Sequence, residues 1–247
     1  MEIVTILGIA LAASLATFIG GLLALKLRDK LHLVLGFSAG AVIAVAFFDL
    51  IPEALELGIS FFDPATVILA TAIGFFLYMV LDRTILLHTH ADGDSEEAHG
   101  HTKKRGWIGA GSLSSHSFLD GFAIGLAFQA SPAVGAVVAV AVLTHDFSDG
   151  INTVNMILKN GGTRKEAFHW LAVDAAAPLL GATATLFITL PASTLSLVLA
   201  LFAGFFLYIG ASDLLPESHH AHPKVMTTVM TLLGAGVLYT VITLAGV

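Results

Sequence analysis

The chain has 247 residues, 56% of them hydrophobic and only 12% charged, where a soluble domain carries about 25% charged residues; with a mean hydropathy of +0.89 it does not read as a soluble domain. The formal charge of -7, with 11 Lys and Arg scattered along the sequence, excludes a nucleic-acid-binding surface, which needs a basic patch against phosphates. The lack of cysteine excludes disulfides, iron–sulfur clusters and thiolate metal sites, so any metal must be held by nitrogen and oxygen.

Crossing a bilayer as a helix takes roughly 20 mostly apolar residues. Eight such runs follow one another: Ile3–Leu25, Leu33–Leu57, Pro64–Leu87, Trp107–Gln129, Ala133–Leu158, Ala167–Leu190, Thr194–Leu215 and Val225–Gly246. The composition therefore predicts an all-α, polytopic membrane protein forming a single unit over residues 1–247. The first run has no basic segment before it and exceeds the about 7–15 apolar residues of a signal peptide, so it is expected to remain as a span. Only 88–105 forms a long polar connection, carrying His88, His90, His99 and His101 among Asp92, Asp94, Glu96 and Glu97. It reads as a flexible cytoplasmic loop, either a plain solvated linker or a weak metal-gathering or sensing tract.

Lys and Arg are retained on the cytoplasmic side of a membrane. Lys26, Arg28, Lys30, Arg83, Lys103, Lys104, Arg105, Lys159, Arg164, Lys165 and Lys224 all fall in or beside alternate connections, which predicts that both termini face outward. The short connecting loops suggest a bacterial plasma membrane.

Two spans carry the chemistry. Span 4 holds His116-Ser117-Phe118-Leu119-Asp120-Gly121 and span 5 holds His145-Asp146-Phe147-Ser148-Asp149-Gly150. In each, His and Asp stand four apart, hence on one helix face one turn apart. Because successive spans run in opposite directions, each His is expected to meet an Asp of the other span near the bilayer midplane. Two imidazoles and two carboxylates suit Zn²⁺, Fe²⁺ or Mn²⁺, and the carboxylates neutralise a divalent cation in low dielectric. The emptied site is expected to take up protons, making metal movement depend on pH. One buried His or Asp alone reads equally well as an interhelical hydrogen bond, but ionisable residues inside a membrane are costly, and this pattern occurs twice.

A second repeat, D-L-[IL]-P-E, places Asp49 and Glu53 in span 2 and Asp213 and Glu217 in span 7. The charge pattern puts these motifs at opposite mouths, the inverted symmetry of carriers with a midplane site, and each Pro is expected to bend its helix where carboxylates line a path.

These motifs, with A-G-A-V-I-A-V-A-F-F-D-L-I-P-E-A before and G-F-F-L-Y-I-G-A-S-D-L-L-P-E-S-H-H after, resemble the ZIP family of divalent-metal transporters over nearly the whole chain. The resemblance implies eight spans in an inverted 3+2+3 arrangement and a metal site at His116, Asp120, His145 and Asp149. It further implies an elevator-like motion of spans 1, 4, 5 and 6 against 2, 3, 7 and 8, and frequent homodimers. Zinc, iron, manganese or cadmium would move toward the cytoplasm as substrate, with no cofactor and no nucleic-acid partner. The lipid bilayer and a second copy of the chain are the expected partners.

The sequence departs from the family's pattern at several points. Ser117, Leu119 and Ser148 stand where Asn or Pro is common, Asp120 and Asp149 where Glu is common, and Asp49 where His is frequent in span 2. A second metal position in some members uses a Glu immediately before a Pro in span 6, whereas Ala177 precedes Pro178 here and the nearest acid is Asp174. One central metal is therefore expected, with Ser117, Asp146 and Asp174 as the candidate surroundings of a second. The rival reading is an intramembrane zinc-dependent hydrolase, which would use three ligands and an open water position. A metal-free proton or anion carrier is the third.

Overall fold

A computed structural model describes residues 2–23, 31–90, 98–220 and 225–245, all-helical apart from short turns. Helix α1 spans Glu2–Leu23, α3 Pro64–His90, α4 Ala98–Ala130, α5 Pro132–Lys159, α6 Arg164–Thr185 and α8 Val225–Ala245. Helix α2 begins as Leu31–Val45, widens into a π turn at Ala46–Leu50 and ends as Ile51–Gly58. Helix α7 repeats that plan as Ala192–Tyr208, a π turn at Ile209–Leu214, and Leu215–His220. Of the polar connection expected at 88–105, the ends are helical, and Asp92, Asp94, Glu96 and Glu97 lie outside the described residues. The side chains of His88, His90, His99, His101 and Glu217 also lie outside them.

The helix ends follow from local chemistry. Ser131 caps α5, its hydroxyl accepting from the Val134 N–H at 3.1 Å, and Pro132 occupies the first turn, where its missing N–H costs nothing. The helix stops at Gly161, which has φ 77°, and the Gly162 N–H donates back to the Ile157 carbonyl at 2.9 Å. Helix α6 opens with a capping box: the Glu166 N–H donates to the Thr163 hydroxyl, and Glu166 accepts from the Thr163 N–H at 2.6 Å. The bond donated by the Thr163 N–H, and after it the one donated by the Thr163 hydroxyl at 2.8 Å, hold the Glu166 carboxyl below the usual carboxylate range.

The bend expected at each Pro takes the form of a π turn just before it. Pro52 and Pro216 have no N–H, and their rings would collide with the carbonyls of Phe48 and Ser212 in a regular α turn. In the wider turn the Ile51 N–H reaches the Ala46 carbonyl and the Leu215 N–H reaches the Gly210 carbonyl, so both helices continue. The two π turns carry Asp49 and Asp213.

Among the described residues, six helical stretches are long and apolar enough to cross a membrane: Ile3–Leu23, His32–Gly58, Pro64–Thr84, Pro132–Lys159, Ala192–Leu214 and Val225–Ala245. Eight spans were expected, and the difference lies in α4 and α6. At 33 and 22 residues they have the length, but polar residues such as Ser112, Ser114, His116, Asp120 and Asp174 dilute their apolarity. Burial of the apolar stretches orders the bundle from centre to rim, at 72% for α5 against 28% for α1, 22% for α8 and 17% for α3.

Glycines show which helices touch most closely. A Cβ at Gly20 would strike the Phe147 carbonyl and one at Gly150 the Thr17 carbonyl, so α1 and α5 cross backbone to backbone. Helices α4 and α6 do likewise through Gly121 on Pro178 and Gly181 on Phe118, α2 and α8 through Gly40 on Thr231 and Gly234 on Phe37, and α3 and α7 through Gly74 on Leu201 and Gly204 on Thr71. Such small-residue crossings allow helices to approach in lipid, where apolar side chains gain little by leaving the hydrocarbon. All four pairings fall within two groups of helices, α1, α4, α5 and α6 on one side and α2, α3, α7 and α8 on the other. Side-chain contacts join the groups, among them the Ser38 hydroxyl donating to the Thr144 carbonyl at 2.6 Å.

Candidate metal centre

Helices α4 and α5 are antiparallel neighbours joined at Ser131, so their His-x-x-x-Asp faces oppose each other. His116, Asp120, His145 and Asp149 meet there, each offering one ligand atom, and the four atoms lie within 4.8 Å of one another. His116 Nε2 is 3.2 Å from Asp120 Oδ2 and 3.7 Å from Asp149 Oδ2, and His145 Nε2 is 3.3 Å and 3.8 Å from the same two atoms. Oxygen and nitrogen atoms bound about 2.0–2.2 Å from a tetrahedral zinc stand roughly 3.3–3.6 Å apart, so these spacings approach the edges of such a tetrahedron. The group is deeply buried, with exposures of 0% for His145, 1% for Asp120, 3% for Asp149 and 7% for His116. Among the described residues Asp149 Oδ2 has no hydrogen-bond partner despite its burial, an orphan acceptor of the kind a cation satisfies.

The other expected residues are placed differently. Asp174 accepts from the Ser117 hydroxyl at 2.8 Å and from the Thr153 hydroxyl at 2.7 Å, so both of its oxygens are engaged. Asp146 is fully buried, its Oδ1 stands 4.0 Å from His145 Nε2, and neither of its oxygens has a hydrogen-bond partner among the described residues. Ser117, Asp146 and Asp174 therefore surround the four-atom cluster without joining it. Asp49 is buried at 1% exposure with neither carboxylate oxygen partnered among the described residues, and Glu53, one turn on, is half-buried. Asp213 lines a cavity.

That cavity, of about 1180 Å³, runs from His116, Ser148 and Asp149 past Tyr78 and Asp213 to Arg83 and Lys159. It thus connects the metal-type cluster with the end of the bundle that bears the basic residues. Along its wall the Tyr208 hydroxyl donates to Asp82 at 2.8 Å, and the Tyr78 hydroxyl lies 3.2 Å from His116 Nδ1.

Sequence reasoning missed Thr153, Tyr78 and Asp82. Thr153 continues the His145–Asp149 face by one more turn, a signal that was present. Tyr78 is one of three tyrosines in the chain, and a phenol within an apolar span needs a partner, but nothing in the sequence says which.

The fold and this cluster define a class: a polytopic helical membrane protein with a buried nitrogen–oxygen cluster, able to hold a metal ion, between two antiparallel helices. The family model described as ZIP Zinc transporter matches residues 86–242. The chain is 30% identical over 237 residues to Zinc transporter ZupT of Corynebacterium aurimucosum, covering 88% of this chain and 89% of that protein. It is 27% identical over 217 residues to Zinc transporter YKE4 of Saccharomyces cerevisiae, covering 77% of this chain and 62% of that protein. With human Zinc transporter ZIP6 it shares 36% identity over 106 residues, 42% of this chain but only 14% of that much longer protein. The chain belongs to the ZIP zinc transporter family, which is a family of transporters and not of enzymes. The hydrolase reading is thereby set aside.

Proposed function

We propose that this chain carries zinc, and with it iron, manganese or cadmium, across a bacterial plasma membrane toward the cytoplasm. The observation that carries the reading is the buried His116–Asp120–His145–Asp149 cluster at the floor of a cavity open to one end of the bundle. Two carboxylates and a divalent cation sum to zero charge, so the loaded site is tolerable at membrane depth where the bare carboxylates are not. One metal is held at the centre, and Asp146 and Asp174 support it from outside the ligand set. The similarity to proteins named zinc transporters makes zinc the first substrate to test.

The transport mode is alternating access by sliding of the α1–α4–α5–α6 group against the α2–α3–α7–α8 group. Support comes from the glycine crossings, which bind helices within each group and not across them. The same crossings support an inverted 3+2+3 repeat: mapping α1–α3 onto α6–α8 and α4 onto α5 turns the α1–α5 pair into α6–α4 and the α2–α8 pair into α7–α3. Under that mapping Asp49 corresponds to Asp213, and one is sealed while the other faces the cavity. Asp49, Glu53, Asp213 and Glu217 are assigned to the two mouths of the path. The basic residues at the open end make this the inward-facing arrangement, with both termini outside. The protein works as a homodimer in the bilayer.

The test is initial-rate uptake of Zn²⁺, Mn²⁺, Fe²⁺ and Cd²⁺ into proteoliposomes. Zinc uptake well above that of protein-free vesicles is expected, and none for any of the four cations would overturn the reading. Orientation is checked separately. Since the chain has no cysteine, Ser60→Cys is expected to react with an impermeant thiol reagent added to intact cells, and Lys165→Cys only after lysis. The reverse pattern would invert the topology.

A further inference from the structure

The two histidines of the cluster are held differently. His145 Nδ1 lies 3.0 Å from the Ala141 carbonyl and its Nε2 lies 3.3 Å from Asp120 Oδ2, so its ring is held by its own helix on one side and faces the cluster on the other. His116 Nδ1 instead lies 3.2 Å from the Tyr78 hydroxyl, which can donate or accept. Tyr78 belongs to α3, in the other helix group, and its ring packs edge-on to His116 with centroids 6.2 Å apart, backed by Phe205 and Tyr208.

We propose that Tyr78 is the positioning residue of His116, holding its ring so that Nε2 faces the cluster. This rests on the metal-site reading above. The Tyr78 hydroxyl stands behind one ring nitrogen of His116, and Asp120 Oδ2 lies 3.2 Å from the other. The cluster thus combines one histidine anchored to its own helix through the Ala141 carbonyl with one oriented by a side chain of the other helix group. Partners behind a ligating histidine commonly govern metal affinity by 10–100-fold.

Tyr78→Phe keeps the ring contacts and removes only the hydroxyl. The experiment uses protein with ¹⁵N-labelled histidine in lipid nanodiscs, zinc as the probe, and zinc uptake in parallel, with signals assigned by their loss in His116→Ala and His145→Ala. In the native protein, zinc is expected to shift Nε2 of both histidines. Tyr78→Phe is expected to move the His116 signals alone and to raise the zinc KM about tenfold, with the maximal rate changed less than about twofold. Tyr208→Phe is the control, since it lies in the same aromatic group but donates to Asp82, and it is expected to leave the His116 signals in place. If zinc shifts both histidines but Tyr78→Phe changes neither the His116 signals nor KM, Tyr78 is not the positioning residue and the site stands. An equal displacement of His116 by Tyr208→Phe would assign the effect to ring packing and overturn the proposal. If zinc shifts neither histidine in the native protein, the site reading fails and this proposal with it.

Discussion

Asp120→Ala, His145→Ala and Asp149→Ala are each expected to lower zinc uptake in proteoliposomes more than about 100-fold, beyond what losing a supporting partner of a metal ligand costs. Asp120 should be the most sensitive, because a single oxygen, Oδ2, lies within 3.3 Å of both imidazole Nε2 atoms. Removing one carboxylate also leaves a loaded site with net positive charge in low dielectric, so the variant loses both a ligand and charge balance. Asp174→Ala is expected to cost about tenfold, as a group that acts on the cluster from behind. Its two hydrogen bonds tie α4 to α5 and α6 through Ser117 and Thr153. Equal loss in Asp174→Ala and Asp149→Ala, with both proteins folded, would instead make Asp174 a ligand and favour two metals.

Gly121→Ala is expected to lower stability by about 3 kcal/mol, the upper part of the usual range for overpacking, and to abolish uptake. The added Cβ would meet the Pro178 backbone itself, which has no flexible side-chain end to swing away. Gly121 adjoins Asp120 in the chain, so metal binding should suffer along with the fold. Gly8→Ala and Gly236→Ala provide the contrast, since a Cβ at either meets nothing within 4 Å; both should leave thermal stability and uptake unchanged. Size-exclusion profiles recorded after graded heating measure the first effect, and vesicle uptake the second. A Gly121→Ala protein as stable as the native one would mean that the α4–α6 crossing is looser than described.

The helices were legible where the sequence speaks through period and apolarity, and the opposed His-Asp faces of α4 and α5 were legible because i,i+4 spacing fixes a face and a short connection fixes antiparallel order. Helix lengths were less so. An apolar run starts at Trp107, but α4 starts at Ala98, because a helix does not end where hydrophobicity ends. The π turns depend on where a Pro ring falls relative to a carbonyl four residues back, a three-dimensional conflict that the D-L-[IL]-P-E pattern marks without revealing how it is resolved. Tyr78 lay out of reach because its partner is 38 residues away and on the other helix group. No local pattern encodes that contact. Asp174 was visible as an acid in an apolar span, but its engagement by Ser117 and Thr153 depends on α4, α5 and α6 meeting, which no single helix records.

The modest apolarity of α4 and α6 bears on how the chain enters the membrane during synthesis. Each span that leaves the ribosome is offered to lipid individually, and Asp or His near the middle of a helix weighs against acceptance. Helix α4 reaches the insertion machinery before α5, whose opposing carboxylate and imidazole would satisfy its own. Entry of the two helices together, as a hairpin through the short turn at Ser131, satisfies both, and α6 follows with Asp174 to meet Ser117 of α4 already in place. The segments built to hold the ion are those that lipid accepts least readily, so their assembly depends on neighbours already in place.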